Sequence, residues 1–78
     1  STVIRYDVPE GGGDVKLEIF DVGGRLVRRL VDGHAGVGEK SVLWDGRDER
    51  GDRVASGVYY YRLTAPGYEK TRKMTVLK

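Results

Sequence analysis

Trp44-Asp45-Gly46 and, further on, Ser56-Gly57-Val58-Tyr59-Tyr60-Tyr61 are the stretches whose reading decides the fold of this chain. The single tryptophan stands just before a polar loop punctuated by glycine. Three of the five tyrosines stand just after that loop. Val42 and Trp44 form one alternating face, and Tyr59, Tyr61 and Leu63 form another. Spacing of i, i+2 places side chains on one side of a pleated strand. The expectation is two adjacent strands whose large rings meet in a core, joined by an exposed connection from Arg47 to Ala55.

Working outward, the other segments read as strands that cover those rings. Val3 to Val8 alternates, with Ile4, Tyr6 and Val8 on one face, and Pro9 ends it because proline offers no N–H to a ladder. Glu10-Gly11-Gly12-Gly13 is a turn; as a phosphate loop it lacks the Lys-Ser/Thr ending and a following helix pattern. Asp14 to Asp21 points Val15, Leu17 and Ile19 inward and Lys16, Glu18 and Phe20 outward. Asp21-Val22-Gly23-Gly24 is a hairpin signal. Leu26, Val27, Leu30 and Val31 break strict alternation. The β-branched residues and strand neighbours favour a strand with a bulge over a short helix. Asp32 to Gly38 reads as a loop holding His34, and Glu39 to Trp44 as the next strand. Val54-Ala55 suggests a further short strand, and Val58 to Ala65 is the tyrosine strand. Ala65-Pro66-Gly67-Tyr68 is a tight turn into a last strand, Glu69 to Lys78, with Met74 and Val76 in the core. About seven short strands without a helix signal describe a small all-β, antiparallel immunoglobulin-like sandwich, a single domain over residues 1–78.

Composition narrows the chemistry. With 78 residues and no cysteine, the core has no disulfide to help it, so aromatic packing carries much of the stability. Lys and Arg total 14 against 12 Asp and Glu, a near-balance that describes a solvated, ion-paired surface rather than a nucleic-acid footprint. Asn and Gln are absent, a trend of heat-adapted proteins that coding bias or redesign also produces. No apolar run is long enough for a membrane helix and no signal peptide is evident. The chain opens on Ser1, which fits a processed product or a piece of something longer.

Candidate chemistry is thin. Asp45, Asp48, Glu49 and Asp52 invite a calcium reading, but Arg47 and Arg50 occupy positions where oxygen ligands are needed. The bland reading, aspartates bonding nearby backbone N–H groups in turns, is preferred. Ser41 and Ser56 have no histidine placed beside them, and His34 in a glycine loop is a poor base. No enzyme activity and no cofactor or metal is expected. Phe20, Tyr60 and Tyr68 point outward by parity, and with Arg72 and Lys73 they are the expected partner contacts.

Taken in order, Ile4-Arg5-Tyr6-Asp7-Val8-Pro9, Val15 to Asp21 with Gly24-Arg25, Trp44-Asp45-Gly46-Arg47-Asp48 with Gly51, Ala55 to Leu63, and Thr71-Arg72-Lys73-Met74 resemble a known family. The chain is similar to the Ig-like domain of the flagellar hook-capping protein and to the related C-terminal sorting domains of type IX secretion. Phe20 stands where tyrosine is more usual. Trp44, Asp45, Gly46, Gly57, Tyr59, Tyr61 and Met74 are the hallmark and core positions. The resemblance implies a C-terminal module of a larger exported bacterial protein, reaching the extracellular medium or cell surface through the periplasm. Its partner would be a protein, either a secretion translocon or neighbouring domains and subunits. The leading expectation is a non-catalytic sorting or anchoring module. The alternative is a structural interaction domain like that of the hook cap, and the third is a carbohydrate-binding accessory module stacking sugars on Phe20, Tyr60 and Tyr68.

Overall fold

A computed structural model describes residues 1–77. Six strands follow in chain order: β1 (Thr2–Val8), β2 (Gly13–Phe20), β3 (Leu26–Ala35), β4 (Gly38–Trp44), β5 (Gly57–Ala65) and β6 (Tyr68–Val76). They form two antiparallel sheets, one of order β3-β2-β5-β6 and a smaller one of β1 and β4 alone. The fold is the expected all-β immunoglobulin-like sandwich, with six strands in place of about seven. The short strand expected at Val54-Ala55 does not form. Residues Arg47 and Arg53 make an isolated bridge instead, and Val54 folds inward with its N–H donated to the Gly46 carbonyl at 2.9 Å. The last strand ends at Val76, and Lys78, at the end of the strand expected to run on from Glu69, lies outside the described residues.

The two ring-bearing strands are not adjacent. β4 belongs to the small sheet and β5 to the large one, so Trp44 and Tyr59 meet across the sandwich. Their ring centroids lie 5.8 Å apart with planes at 73°, the edge-to-face arrangement that an aromatic quadrupole favours. Trp44 is 0% exposed, and Leu17, Ile19, Val15, Ile4, Val8, Leu63 and Val76 complete the core around it. Period-two alternation in β1 and β2 puts these apolar side chains on the inner faces, as expected.

Three features of the backbone position the rest. First, β3 carries two extra residues opposite β2, with register shifts between Leu17 and Glu18 and between Ile19 and Phe20. These bulges reconcile the broken pattern: Val27, Leu30 and Val31 all pack against the core. Second, Asp32 to Ala35 is not loop but the end of β3, paired as far as Gly13↔Ala35, so only Gly36-Val37 separates β3 from β4. Those two residues carry the chain from one sheet to the other. Gly12 seats against this corner: a Cβ there would lie 2.7 Å from the Ala35 carbonyl oxygen, and its φ is +57°. Third, Pro66 and Gly67, the latter at φ +68°, make a two-residue turn that pairs Ala65 with Tyr68.

Candidate functional site

The loop after Trp44 is held from within. Trp44 donates its Nε1–H to the Arg47 carbonyl at 2.9 Å, which satisfies the polar edge of a buried indole. The Asp45 carboxylate accepts the Arg47 N–H at 3.0 Å. Asp48 accepts the N–H groups of Arg50 and Asp52 at 2.9 and 3.0 Å. These are the turn-forming roles that aspartate takes when its side chain caps backbone donors two to four residues on. From β3, Arg28 donates to the Arg47 carbonyl at 3.1 Å and to Asp45 at 3.3 Å, while its Nε lies 3.6 Å from Glu49. Glu49 accepts the Arg29 backbone N–H at 3.1 Å and donates its own to the Val27 carbonyl. The acidic loop is thus tied to β3 through its carboxylates. Among the described residues no group of three or more His, Cys, Asp or Glu is arranged to hold a metal ion. His34 sits on β3 opposite Asp14, 3.9 Å away, and both are largely exposed.

The outer face of the large sheet carries the first cluster of candidate contacts. Phe20, Tyr60 and Lys73 fall in one row across β2, β5 and β6. The next row is Arg29, Glu18, Arg62 and Thr71. Glu18, expected to point outward into solvent, is only 7% exposed. Arg29 covers it with two hydrogen bonds of 3.1 and 3.0 Å, and Arg62 approaches from the other side at 3.7 Å. The Arg62 guanidinium also lies over the Phe20 ring, 4.4 Å from its centroid, a cation–π contact. Arg62 therefore bridges the charged row and the aromatic row. The outward facing of Glu18 was legible in the sequence, but only the register brings Arg29 and Arg62 to the same carboxylate.

A second cluster lies on the other side of the same sheet. Tyr68 does not point outward. Because the turn pairs it with Ala65, it shares the inner face with Ala65, Leu63 and Tyr61 and packs against the core. Arg72, the register partner of Tyr61, is on that face too. The five expected contacts thus divide: Phe20, Tyr60 and Lys73 outside, Tyr68 and Arg72 inside. The small sheet has only two strands, so it stops short of β6, and Lys70 and Arg72 stay exposed despite their inward parity. A cleft of about 180 Å³ remains between β1 and β6, floored by Tyr6, Tyr61 and Tyr68. Strand parity alone did not reveal it, because the opening follows from the number of strands in the facing sheet. A third feature is the cross-strand pair Val3 and Leu43, exposed on the outer face of the small sheet.

These surfaces sit on a small Ig-like sandwich, one side of which is left open. Residues 1–68 match the family model of the FlgD Ig-like domain, and the chain belongs to that family. Among solved structures, the crystal structure of FlgD from P. aeruginosa is similar, with a TM-score of 0.71 and 25% sequence identity over 94% of this chain. The chain spans 57% of the length of that protein. No curated protein matches it. Both findings overturn the leading expectation of a type IX sorting module and, with it, an address at the cell surface reached through the periplasm and recognised by a translocon. They favour the alternative, the interaction domain of the flagellar hook-cap kind. The residues that carried that expectation explain the error: Trp44 and Tyr59 are core and Gly46 and Gly57 take positive φ, so they report the fold and not a route of export.

Proposed function

We propose that this chain is a structural, non-catalytic Ig-like module of a longer protein, which holds neighbouring domains or subunits in a flagellar hook-cap type of assembly. The observation that carries the reading is the family match over residues 1–68. The likeness to FlgD from P. aeruginosa across almost the whole sandwich supports it. The polar residues support it too: their side chains are spent on turns, ion pairs and a charged outer face rather than converging on one reacting position. A sugar-stacking role loses support, because Arg62 covers one face of Phe20 and Tyr68 is turned to the inner side.

The test is a domain exchange. Residues 1–78 would replace the Ig-like domain of FlgD from P. aeruginosa, and hook assembly and swimming would be scored against a chimera carrying an unrelated sandwich. Hooks formed with this domain and not with the unrelated one are the expected result. A chimera that is folded and exported but supports no more hooks than the unrelated sandwich overturns the reading.

A further inference from the structure

We infer that the opening between β1 and β6 is a strand-docking site for an extended, acidic segment of a partner protein. Its lining comes from three residues of β1, three of β6 and two of β5, Tyr61 and Leu63, and from β4 only Glu39, so the cleft opens along the edge of β1 that faces away from β4. That edge pairs with no strand among the described residues, and neither does the outer edge of β6. Unpaired N–H and C=O groups along an edge are the template for strand addition. A third strand beside β1 would extend the two-stranded sheet over the part of the inner face of β6 that carries Lys70 and Arg72, which it now leaves exposed.

The side chains set the chemistry of that strand. Tyr6, Tyr61 and Tyr68 are half-buried and offer aromatic surface to alternate residues of an incoming strand. Tyr59 donates its hydroxyl to the Ala55 carbonyl at 2.7 Å, whereas the hydroxyls of Tyr6, Tyr61 and Tyr68 have no such partner among the described residues. Around the tyrosines stand Arg5, Lys70 and Arg72, and none of these cations makes an ion pair within the described residues. By contrast Arg28, Arg29 and Arg62, on the large sheet, each meet a carboxylate. Asp7 and Glu39, register partners of one another, mark the acidic corner of the cleft, leaving carboxylates favoured opposite Lys70 and Arg72. The occupant is therefore an extended segment whose cleft-facing positions mix apolar and acidic residues, because the rings, Lys70 and Arg72 share one face: apolar onto the rings, acidic onto the free cations. A second copy of this chain is a poorer fit, because its exposed β6 edge brings Lys70, Arg72 and Lys73 against the same charges.

The inference gives the assembly reading a surface, and it is tested on the purified chain, so it can fail while the domain exchange succeeds, or the reverse. The probe is a seven-residue peptide of valine and glutamate in successive pairs (Val-Val-Glu-Glu-Val-Val-Glu) with blocked ends, so that each face of the strand carries both, titrated into the isotope-labelled chain and followed by amide shifts. Saturable shifts along Arg5 to Asp7 and Lys70 to Arg72 are expected, with slowed amide exchange on the β1 edge. The K70E/R72E variant should bind tenfold or more weakly while keeping its unperturbed spectrum elsewhere, since both side chains are exposed. A valine–lysine peptide should bind more weakly by a similar factor. Absence of saturable binding, equal binding of the lysine peptide, shifts centred on Phe20 and Tyr60, or a concentration-dependent dimer closed through β6 would each overturn it.

Discussion

Trp44 does two things with one side chain: its ring centres the core against Tyr59, and its N–H anchors the following loop. Trp44→Ala should therefore cost about 3–5 kcal/mol, enough to unfold a domain of this size. Urea denaturation reads that loss directly, and near-native stability would remove Trp44 from the centre of the core. Trp44→Phe keeps a ring but removes one of the two donors to the Arg47 carbonyl, Arg28 remaining, so a smaller loss, concentrated in loop protection, is expected. Glu18 is the other decisive residue. Its arginine partners are more than a third exposed, and solvent screening limits what the charges contribute. Glu18→Ala should destabilise by about 1–2 kcal/mol, chiefly through the lost charge-assisted hydrogen bonds from Arg29. A double-mutant cycle with Arg29→Ala should return a coupling of about 1 kcal/mol; strict additivity would show that Glu18 acts through packing alone.

Among the elements, the corner at Gly12 and the edge at β6 behave differently under substitution. Gly12 combines a left-handed φ of +57° with the Ala35 carbonyl where a Cβ would stand. The contact is with backbone, which cannot swing aside. Gly12→Ala should cost about 1–3 kcal/mol. Gly11→Ala, at φ +97° with open space around it, should cost less. Thermal unfolding of the two variants checks the order, and a reversed order would mean that the corner between the sheets yields easily. On β6, the run from Glu69 to Lys73 is exposed and mostly charged. Such a run discourages uncontrolled pairing of an edge strand while leaving it open to a partner of opposite charge. Met74 and Val76, further along, hold the strand to the core. Alternation located those two anchors correctly, whereas Tyr68 was misplaced because its facing depends on the pairing set by the Pro66-Gly67 turn.

The whole molecule is unequal in its two layers. β2 and β5 are interior strands of the larger sheet, bearing Leu17, Ile19 and Leu63, while each strand of the smaller sheet has one edge that pairs with no strand among the described residues. Local opening follows from few neighbours and exposed hydrogen bonds. Native-state amide exchange should therefore be slowest along β2 and β5 and faster along β1 and β4. Equal protection in both sheets would mean that the small sheet opens only with the whole domain. The same inequality leaves Lys70 and Arg72 on the inner face of β6 uncovered and creates the cleft. Its cations are exposed, and binding there should weaken with salt on the scale set by a Debye length of about 8–10 Å.

Residue order alone determined most of the strand segments and inward faces, the ring-centred core and the turn chemistry, because each depends on side-chain alternation or on local backbone preference; it missed the end of β3, Asp32 to Ala35, and placed a strand at Val54-Ala55 that does not form. It also carried the family resemblance, since Trp44, Gly57, Tyr59 and their neighbours are read in sequence. Which strand lies beside which was decided only in three dimensions. Trp44 and Tyr59 stand on consecutive strands that part into opposite sheets, β3 absorbs two extra residues, and Arg29 and Arg62 converge on one carboxylate. The open side between β1 and β6 belongs to the same class of fact. Alternation states which residues share a face; the number of strands in the opposing sheet decides whether that face is covered.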